Sequence, residues 1–209
     1  MTLGLILLTL TGLLILFGAG QRVLDRLRLT DRQALLFIAL IIAGGFLPDI
    51  AVTERFSFNL GGALAPLLLC LWLFVRARTG RERARCLLST AVSAVAIYAL
   101  GRYLPAEPEA LPMDPSWAYG IAAGLIAWAF GRSRRGAFIS GALGVMLSEV
   151  FSWLTVRAQG VDQGLSLGGA GGYDTIVIAA LLAVLMTELV GEAAERLARA
   201  GKPARRAAG

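Results

Sequence analysis

The sequence contains no histidine, few charged residues and only two cysteines. Without histidine it lacks the commonest metal ligand and the commonest general base of enzymes. Cys70 and Cys86 lie towards the predicted cytoplasmic side of the membrane, so they are expected to be free thiols. We therefore predict no metal site and no cofactor, and the sequence favours a binding or transport protein over an enzyme.

The low charge content indicates a membrane protein. Charged residues make up 16% of the chain, hydrophobic residues make up 57%, and the mean hydropathy is +0.71. A soluble domain is about 45–50% apolar even when glycine is counted. The composition predicts an all-α, polytopic membrane helix bundle with one transmembrane domain over residues 1–195 and a basic cytoplasmic tail over residues 196–209. The expected partner is the lipid bilayer.

Seven apolar segments are candidates for crossing the membrane, because each crossing helix takes about 20 residues. They are residues 3–20, 33–52, 58–75, 86–104, 116–131, 137–156 and 174–191. No basic residue precedes the first segment, so it is expected to be a retained span and not a cleaved signal peptide. Pro48 and Asp49 interrupt the second segment. The fifth segment is short, and a re-entrant hairpin made from the fifth and sixth segments is the alternative.

Arginines predict the orientation. Four clusters, in residues 21–32, 76–85, 132–135 and 196–209, hold seventeen of the twenty basic residues. The clusters occupy alternate connections, which is the pattern of cytoplasmic loops. Seven spans then place the N-terminus outside and the C-terminus inside. The same placement explains the sequence pI near 10.1, so no nucleic-acid partner is expected.

Glu149 lies a little past the middle of the sixth segment, in GAFISGALGVMLSEVFSWL. An ionisable group near the bilayer centre costs about 2.5–3.5 kcal/mol on insertion scales, and chains keep such groups facing a bundle interior or a wet cavity. Glu149 is therefore a candidate for binding a substrate or an ion. The alternative is a protonated glutamate that only joins neighbouring helices.

Three further polar residues stand at the predicted outer ends of apolar segments. Asp174 opens the seventh segment after a glycine-rich stretch, either as a helix N-cap or as a carboxylate at the mouth of a cavity. Asp49 ends the second segment, and Asn59 opens the third, where it is either an N-cap or a site residue. These three residues and Glu149 are the candidate binding residues, although sequence order does not establish contact between them. The backbone or loop candidates are Gly61, Gly62, Gly169, Gly171 and Gly172.

The tetrapeptide LGGA occurs twice, at residues 60–63 and 167–170. Each copy precedes an inward-running segment and follows an outward-running segment that has an acid in its outer part. The pattern is compatible with a 3+1+3 arrangement, like the parallel repeats of small sugar facilitators, although leucine, glycine and alanine are abundant throughout the chain. The proline-glutamine motif of those facilitators is absent from the sequence.

Four stretches together resemble an uncharacterised family of prokaryotic membrane proteins, catalogued as domain of unknown function 1614. They are QRVLDRLRLTDRQA, NLGGALAPL, GRSRRGAFISGALGVMLSE and GGAGGYDTIVIAALLAVL. The resemblance covers nearly the whole chain and implies a multi-pass protein of the prokaryotic cytoplasmic membrane. It places Asn59, Gly61, Gly62, Gly169, Gly171 and Asp174 at motif positions, and RAQGVDQG (157–164) is unmatched. The family brings no assigned activity.

The sequence is compatible with three functions. The first is a small transporter or channel-like protein whose acid-lined cavity opens to the outer side and accepts a small solute, a proton or a cation. The second is an intramembrane aspartyl-protease-like enzyme, since GGYD resembles a blend of two protease motifs, although a second intramembrane aspartate and the proline-alanine-leucine motif are missing. The third is a non-catalytic assembly or lipid-interacting protein. The first is the function that we expect.

Overall fold

The computed structural model describes residues 3–17, 25, 27, 29–77, 79–103, 115–131, 133–169 and 172–200. Helices dominate the described chain, with three short strands between them. The helices are α1 (Leu3–Leu16), α2 (Asp31–Gly45), α3 (Ala65–Val75), α4 (Gly80–Tyr103), α5 (Pro115–Gly131), α6 (Arg134–Ala158) and α7 (Gly172–Ala200). The strands are β1 (Ile50–Thr53), β2 (Phe56–Phe58) and β3 (Leu165–Leu167), and a π-helical turn, Leu60–Leu64, leads into α3.

Local sequence signals account for the helix starts. Thr30 caps α2 through a capping box with Gln33, in which each side chain meets the other residue's backbone N–H. Ser133 caps α6 by accepting a hydrogen bond from Gly136 N. The second apolar segment is shorter as a helix than its predicted 33–52, because α2 ends at Gly45. Pro48 cannot continue a helix and disfavours helical backbone at the residue before it.

A small sheet corrects the prediction of an all-α fold. The chain after Pro48 forms β1, which pairs antiparallel with β2, and β2 pairs parallel with β3. The parallel register joins Phe56 to Leu165 and Phe58 to Leu167. Segments this short show too little alternation of apolar and polar residues to stand out beside long apolar runs. The sheet brings the two LGGA regions side by side, more than a hundred residues apart in sequence.

The two LGGA copies nevertheless differ in local structure. The first copy forms most of the π-helical turn, whereas the second begins inside β3 and continues through Gly168, whose φ is +67°. The sheet register pairs Leu167 with Phe58 and not with Leu60. The 3+1+3 duplication therefore stays a prediction.

Small residues bring the central helices close together. On α5, Gly120 and Gly124 pack against the backbone of α7, and on α6, Gly141 packs against Ala179 and Ala180 of α7. A methyl group on Gly120 would lie 2.6 Å from Leu182 Cβ. Close approach of this kind is how apolar helices gain van der Waals contact when lipid offers no hydrophobic driving force between them.

Within the described residues, three helices are long and apolar enough to cross a membrane, judged by length and composition: Gly80–Tyr103, Arg134–Ala158 and Asp174–Ala194. Leu3–Leu16, Leu60–Val75 and Trp117–Phe130 are shorter apolar helices. The predicted count of seven spans stays a prediction. The fifth and sixth segments form separate continuous helices of 17 and 25 residues. At 1.5 Å per residue these are about 25 Å and 37 Å long.

Charged groups segregate to two ends of the helix bundle. At the end called here the arginine end, Arg135 pairs with Glu82 at 2.8 Å and donates to Arg76 O, and Arg134 pairs with Glu188 at 2.6 Å. The opposite end, called the strand end, carries the sheet and the connection 159–164. The predicted basic tail beyond residue 200 lies outside the described residues.

Candidate functional site

Asn59 is the centre of a hydrogen-bonded cluster at the strand end. Its Oδ1 accepts from Gly61 N and Gly62 N, both at 2.9 Å, so the side chain caps the π-helical turn. Its Nδ2 donates to Asp49 Oδ1 at 2.9 Å and to Leu47 O at 3.2 Å. The residue is 6% exposed, and all four side-chain bonds are made inside the protein. Asn59 is thus a cap, and it also holds a carboxylate in place.

Asp49 joins this cluster to the sheet. It lies beyond the end of α2, outside the helical segments, and its second carboxylate oxygen accepts a hydrogen bond from Ser166 Oγ of β3. The bond from Ser166, followed by the bond from Asn59, lowers the pKa of Asp49 from its ordinary value, because both donors favour the charged carboxylate. Asp49 therefore carries a negative charge that is bound on two sides.

Glycines allow the backbones beneath this cluster to touch. A side chain on Gly62 would overlap the carbonyl oxygen of Gly168, and one on Gly61 would overlap the end of α2 around Ile41 and Gly44. A methyl group on Gly169 would lie 2.6 Å from Asp49 Oδ2. Three of the predicted glycines thus have a steric reason. Gly172 begins α7, and Gly171 lies outside the described residues.

Glu149 of α6 contacts the same segment. Its carboxyl group shares a hydrogen bond with the Gly168 backbone, one residue after β3. Its Oε2 atom is buried and has no hydrogen-bond partner among the described residues. Buried polar atoms are rarely left without a partner, and each exception calls for an explanation.

A cleft of about 430 Å³ lies against Glu149. It runs between α4 and α6, is bounded by the start of α7 and residues 163–165, and reaches the surface near Arg102. At that rim Arg102 Nη1 donates to Tyr98 Oη at 3.1 Å, and Tyr98 Oη also bonds Thr155 Oγ1 at 3.1 Å. The polar lining groups include Tyr98, Arg102, Ser148, Glu149, Ser152 and Thr175.

Asp174 occupies a different place from the one predicted. Because α7 begins at Gly172, Asp174 stands in the first helical turn and not at the N-cap. Its Oδ1 is buried without a hydrogen-bond partner among the described residues and faces Gly4 of α1, where a methyl group would lie 2.6 Å from it. Thr175 lines the Glu149 cleft, and Asp174 does not. The two acids thus face different neighbours.

Three of the four predicted polar residues meet around residues 166–169. Asp49 bonds Ser166, the backbone N–H of Asn59 donates to Leu167 O at 3.0 Å, and Glu149 bonds Gly168. Asp174 is the exception. The end of β3 is therefore a common support for two carboxyl groups, Asp49 at Ser166 and Glu149 at Gly168.

Sequence reasoning missed Ser166 and the ion pairs at the arginine end. The two strands read FSF and LSL, with Ser57 opposite Ser166, and each is soon followed by a pair of glycines; that likeness was the available signal. Two arginines of the 132–135 cluster form ion pairs, and the side chains of Arg134 and Glu188 are only 13% and 16% exposed. Cys70 and Cys86 are free and buried.

Comparison with known proteins adds one finding. A family model described as "Protein of unknown function (DUF1614)" matches residues 25–186, a stretch that contains the whole cluster around Asn59 and the Glu149 cleft. No curated protein and no solved structure matches the chain.

Proposed function

Since the chain belongs to the family described as "Protein of unknown function (DUF1614)", we propose from its geometry that it is a small membrane transporter or channel-like protein. The cleft beside Glu149 is its binding site, and a proton, a small cation or a small solute enters the cleft from the strand end. The family description assigns no activity, so this proposal depends on the residues of the chain.

Exposed apolar side chains support the membrane setting. Leu71, Val75, Val95 and Leu189 all lie on helices, and each is more than half exposed. A helix that shows apolar residues outwards as well as inwards suits lipid better than water. Together with three helices of sufficient length, this surface favours an integral membrane protein.

Charge supports the orientation. The connections at the arginine end carry most of the basic residues, which favours a cytoplasmic position for that end. The strand end, with Asp49, Asp162 and the Glu149 cleft, then faces outwards. Seven crossings of the cytoplasmic membrane remain part of this proposal.

One observation carries the proposal: Glu149 Oε2 is buried beside a cleft and has no hydrogen-bond partner within the part of the chain that the structure describes. A carboxyl group costs free energy inside a membrane protein, and chains keep such groups at ion pathways, proton relays or substrate contacts. The Glu149 carboxyl group also forms a hydrogen bond with the Gly168 backbone, and this bond gives the group a defined position. An unpaired carboxyl oxygen can accept a proton or contact a cation.

The test is ion flux into liposomes that contain the purified protein. A pH-sensitive dye inside reports protons, and separate dyes report sodium and potassium. We expect flux above that of protein-free liposomes, and at least a tenfold loss in Glu149→Gln. The matched control is Glu54→Gln, the same chemical change at an exposed residue of the β1–β2 turn. Equal flux in both variants, or no flux of any of the three ions with the unaltered protein, overturns the proposal.

The aspartyl-protease-like alternative has less geometric support. Such an enzyme needs two carboxyl groups that share one site. Among the described residues Asp49 bonds Asn59 and Ser166, Asp174 faces Gly4, and Glu149 bonds Gly168. These three acids do not form a contacting pair.

A further inference from the structure

The helix pair α4 and α6 has a cleft at each end. At the strand end, the Glu149 cleft touches Ile97 of α4 and Val145 of α6. At the arginine end, a second cleft of about 250 Å³ touches Ser89 of α4 and Gly136 of α6. Ser89 and Ile97 are eight residues apart on one helix, so about 12 Å of protein separates the two clefts along the helix axis.

The residues in that interval are small or carry hydroxyl groups, and they repeat every fourth position. On α4 they are Ser89 and Ser93, followed by Ile97, and on α6 they are Gly136, Ser140, Gly144 and Ser148. Residues four apart on a helix lie on one face. The facing stripes form a seam between the two helices, defined here by Ser89, Ser93, Ser140 and Gly144.

Contacts within the seam are close. Ser89 Oγ and Ser140 Oγ are 2.7 Å apart, and both residues are buried. A methyl group on Gly144 would lie 3.1 Å from Ser93 Cβ and 3.1 Å from Ile97 Cδ1, so Ser93 packs directly against the glycine. The seam is too tight for a hydrated cation.

A purely structural role does not explain the environment of Ser93. It is 0% exposed, and its Oγ has no hydrogen-bond partner among the described residues. Buried serines in helices commonly bond the carbonyl one turn earlier, as Thr155 does with Phe151 O at 2.8 Å in α6. Ser93 Oγ makes no such bond and lies in the interval between the clefts.

We propose that this seam is the path of a proton between the two clefts, an inference that rests on the proposed function and narrows its cargo. A hydroxyl group both donates and accepts a hydrogen bond. Ser93 Oγ has no partner among the described residues, so single water molecules that enter from the two clefts complete the chain on either side of it. Each hydroxyl then takes a proton from one neighbour while releasing its own to the next, and it ends unchanged. Glu149 is the proton acceptor at the strand end, and the Ser93–Gly144 contact is the narrowest point of the path.

The experiment measures proton flux through liposomes containing the full chain, driven by a potassium diffusion potential and read by an internal pH dye. We expect at least a tenfold loss of flux in Ser93→Ala, which removes the hydroxyl, and in Gly144→Ala, which adds a methyl group to the seam. The matched controls lie on α1. Thr9→Val removes an exposed hydroxyl, and Gly12→Ala adds a methyl group 3.6 Å from Ile38 Cγ2. Both controls should keep full flux.

A second readout separates the path from the binding site. A hydrophobic carbodiimide, which adds to protonated carboxyl groups, should label Glu149 equally in the unaltered protein and in Ser93→Ala, as seen by mass spectrometry. Normal labelling with lost flux supports the seam. Full proton flux in both Ser93→Ala and Gly144→Ala, with flux lost in Glu149→Gln, overturns the seam and leaves the proposed function standing. Flux of sodium or potassium without protons also overturns it. If the unaltered protein shows no flux of protons, sodium or potassium, both the seam and the proposed function are overturned.

Discussion

Replacing Asn59 with alanine should destabilise the strand end, and the cost can be worked out from the bonds that are lost. Gly61 N and Gly62 N, both buried, lose their side-chain acceptor, and loss of a helix cap costs about 0.5–2 kcal/mol. Asp49 loses an amide donor, and hydrogen bonds to charged groups contribute about 1.5–3 kcal/mol. Asp49 is exposed, so solvent screening puts that second contribution at its low end. We expect the free energy of unfolding to fall by about 2–4 kcal/mol.

Unfolding of the purified protein in mild detergent can be followed by the fluorescence of its four tryptophans during a denaturant titration. Asn59→Ser separates the two contributions, because it retains a short acceptor for the cap but loses the amide donor to Asp49. We expect it to be more stable than Asn59→Ala by about 0.5–2 kcal/mol. A loss below about 0.5 kcal/mol in Asn59→Ala, or equal losses in the two variants, would refute the reasoning.

Three further outcomes are expected. Gly62→Ala should lower the free energy of unfolding by about 3 kcal/mol or more in the same titration, because its methyl group meets the Gly168 carbonyl. Gly12 has room for a methyl group, so Gly12→Ala should leave that free energy unchanged or raise it by up to about 1 kcal/mol. Folding lowers the pKa of Asp49 from 3.8, so the contribution of its carboxylate to stability should be complete above that pH and be lost as the pH falls through the lower folded value. Asp49→Asn should remove this pH dependence of stability in titrations between pH 2 and 6. Finally, Glu149→Gln should express and fold like the unaltered protein, whereas Glu149→Lys should insert poorly, as judged by yield in the membrane fraction, and equal yields would contradict the interior position of Glu149.

Much of the helical layout could be predicted from the sequence because the signals are local. Each described helix overlaps one of the seven apolar segments, and every one except α3 begins within six residues of the expected start. Hydropathy over a window of about 20 residues suffices for this, since each apolar run must be covered by lipid or by protein. Asn59 was recognisable as a cap for the same reason: a cap bonds the residues that follow it directly.

Contacts between distant residues could not be predicted in this way. The bond between Asp49 and Ser166 joins residues 117 apart, and it exists because β2 brings β3 alongside it. The same sheet brings Gly168 to Glu149. Asp174, a candidate binding residue like Glu149, faces Gly4 where α1 packs on α7.

The sequence by itself determined the apolar helices, the concentration of arginine in alternate connections and the choice of Asp49, Asn59 and Glu149 as polar residues in need of partners. All of these follow from hydropathy, charge and capping, which act over at most a few turns of chain. Only the tertiary structure decided which partners those residues have, and it placed Ser93 against Gly144 in the seam between two clefts. The physical reason is that backbones approach where side chains leave room, so glycines far apart in sequence set the distances at which polar groups meet.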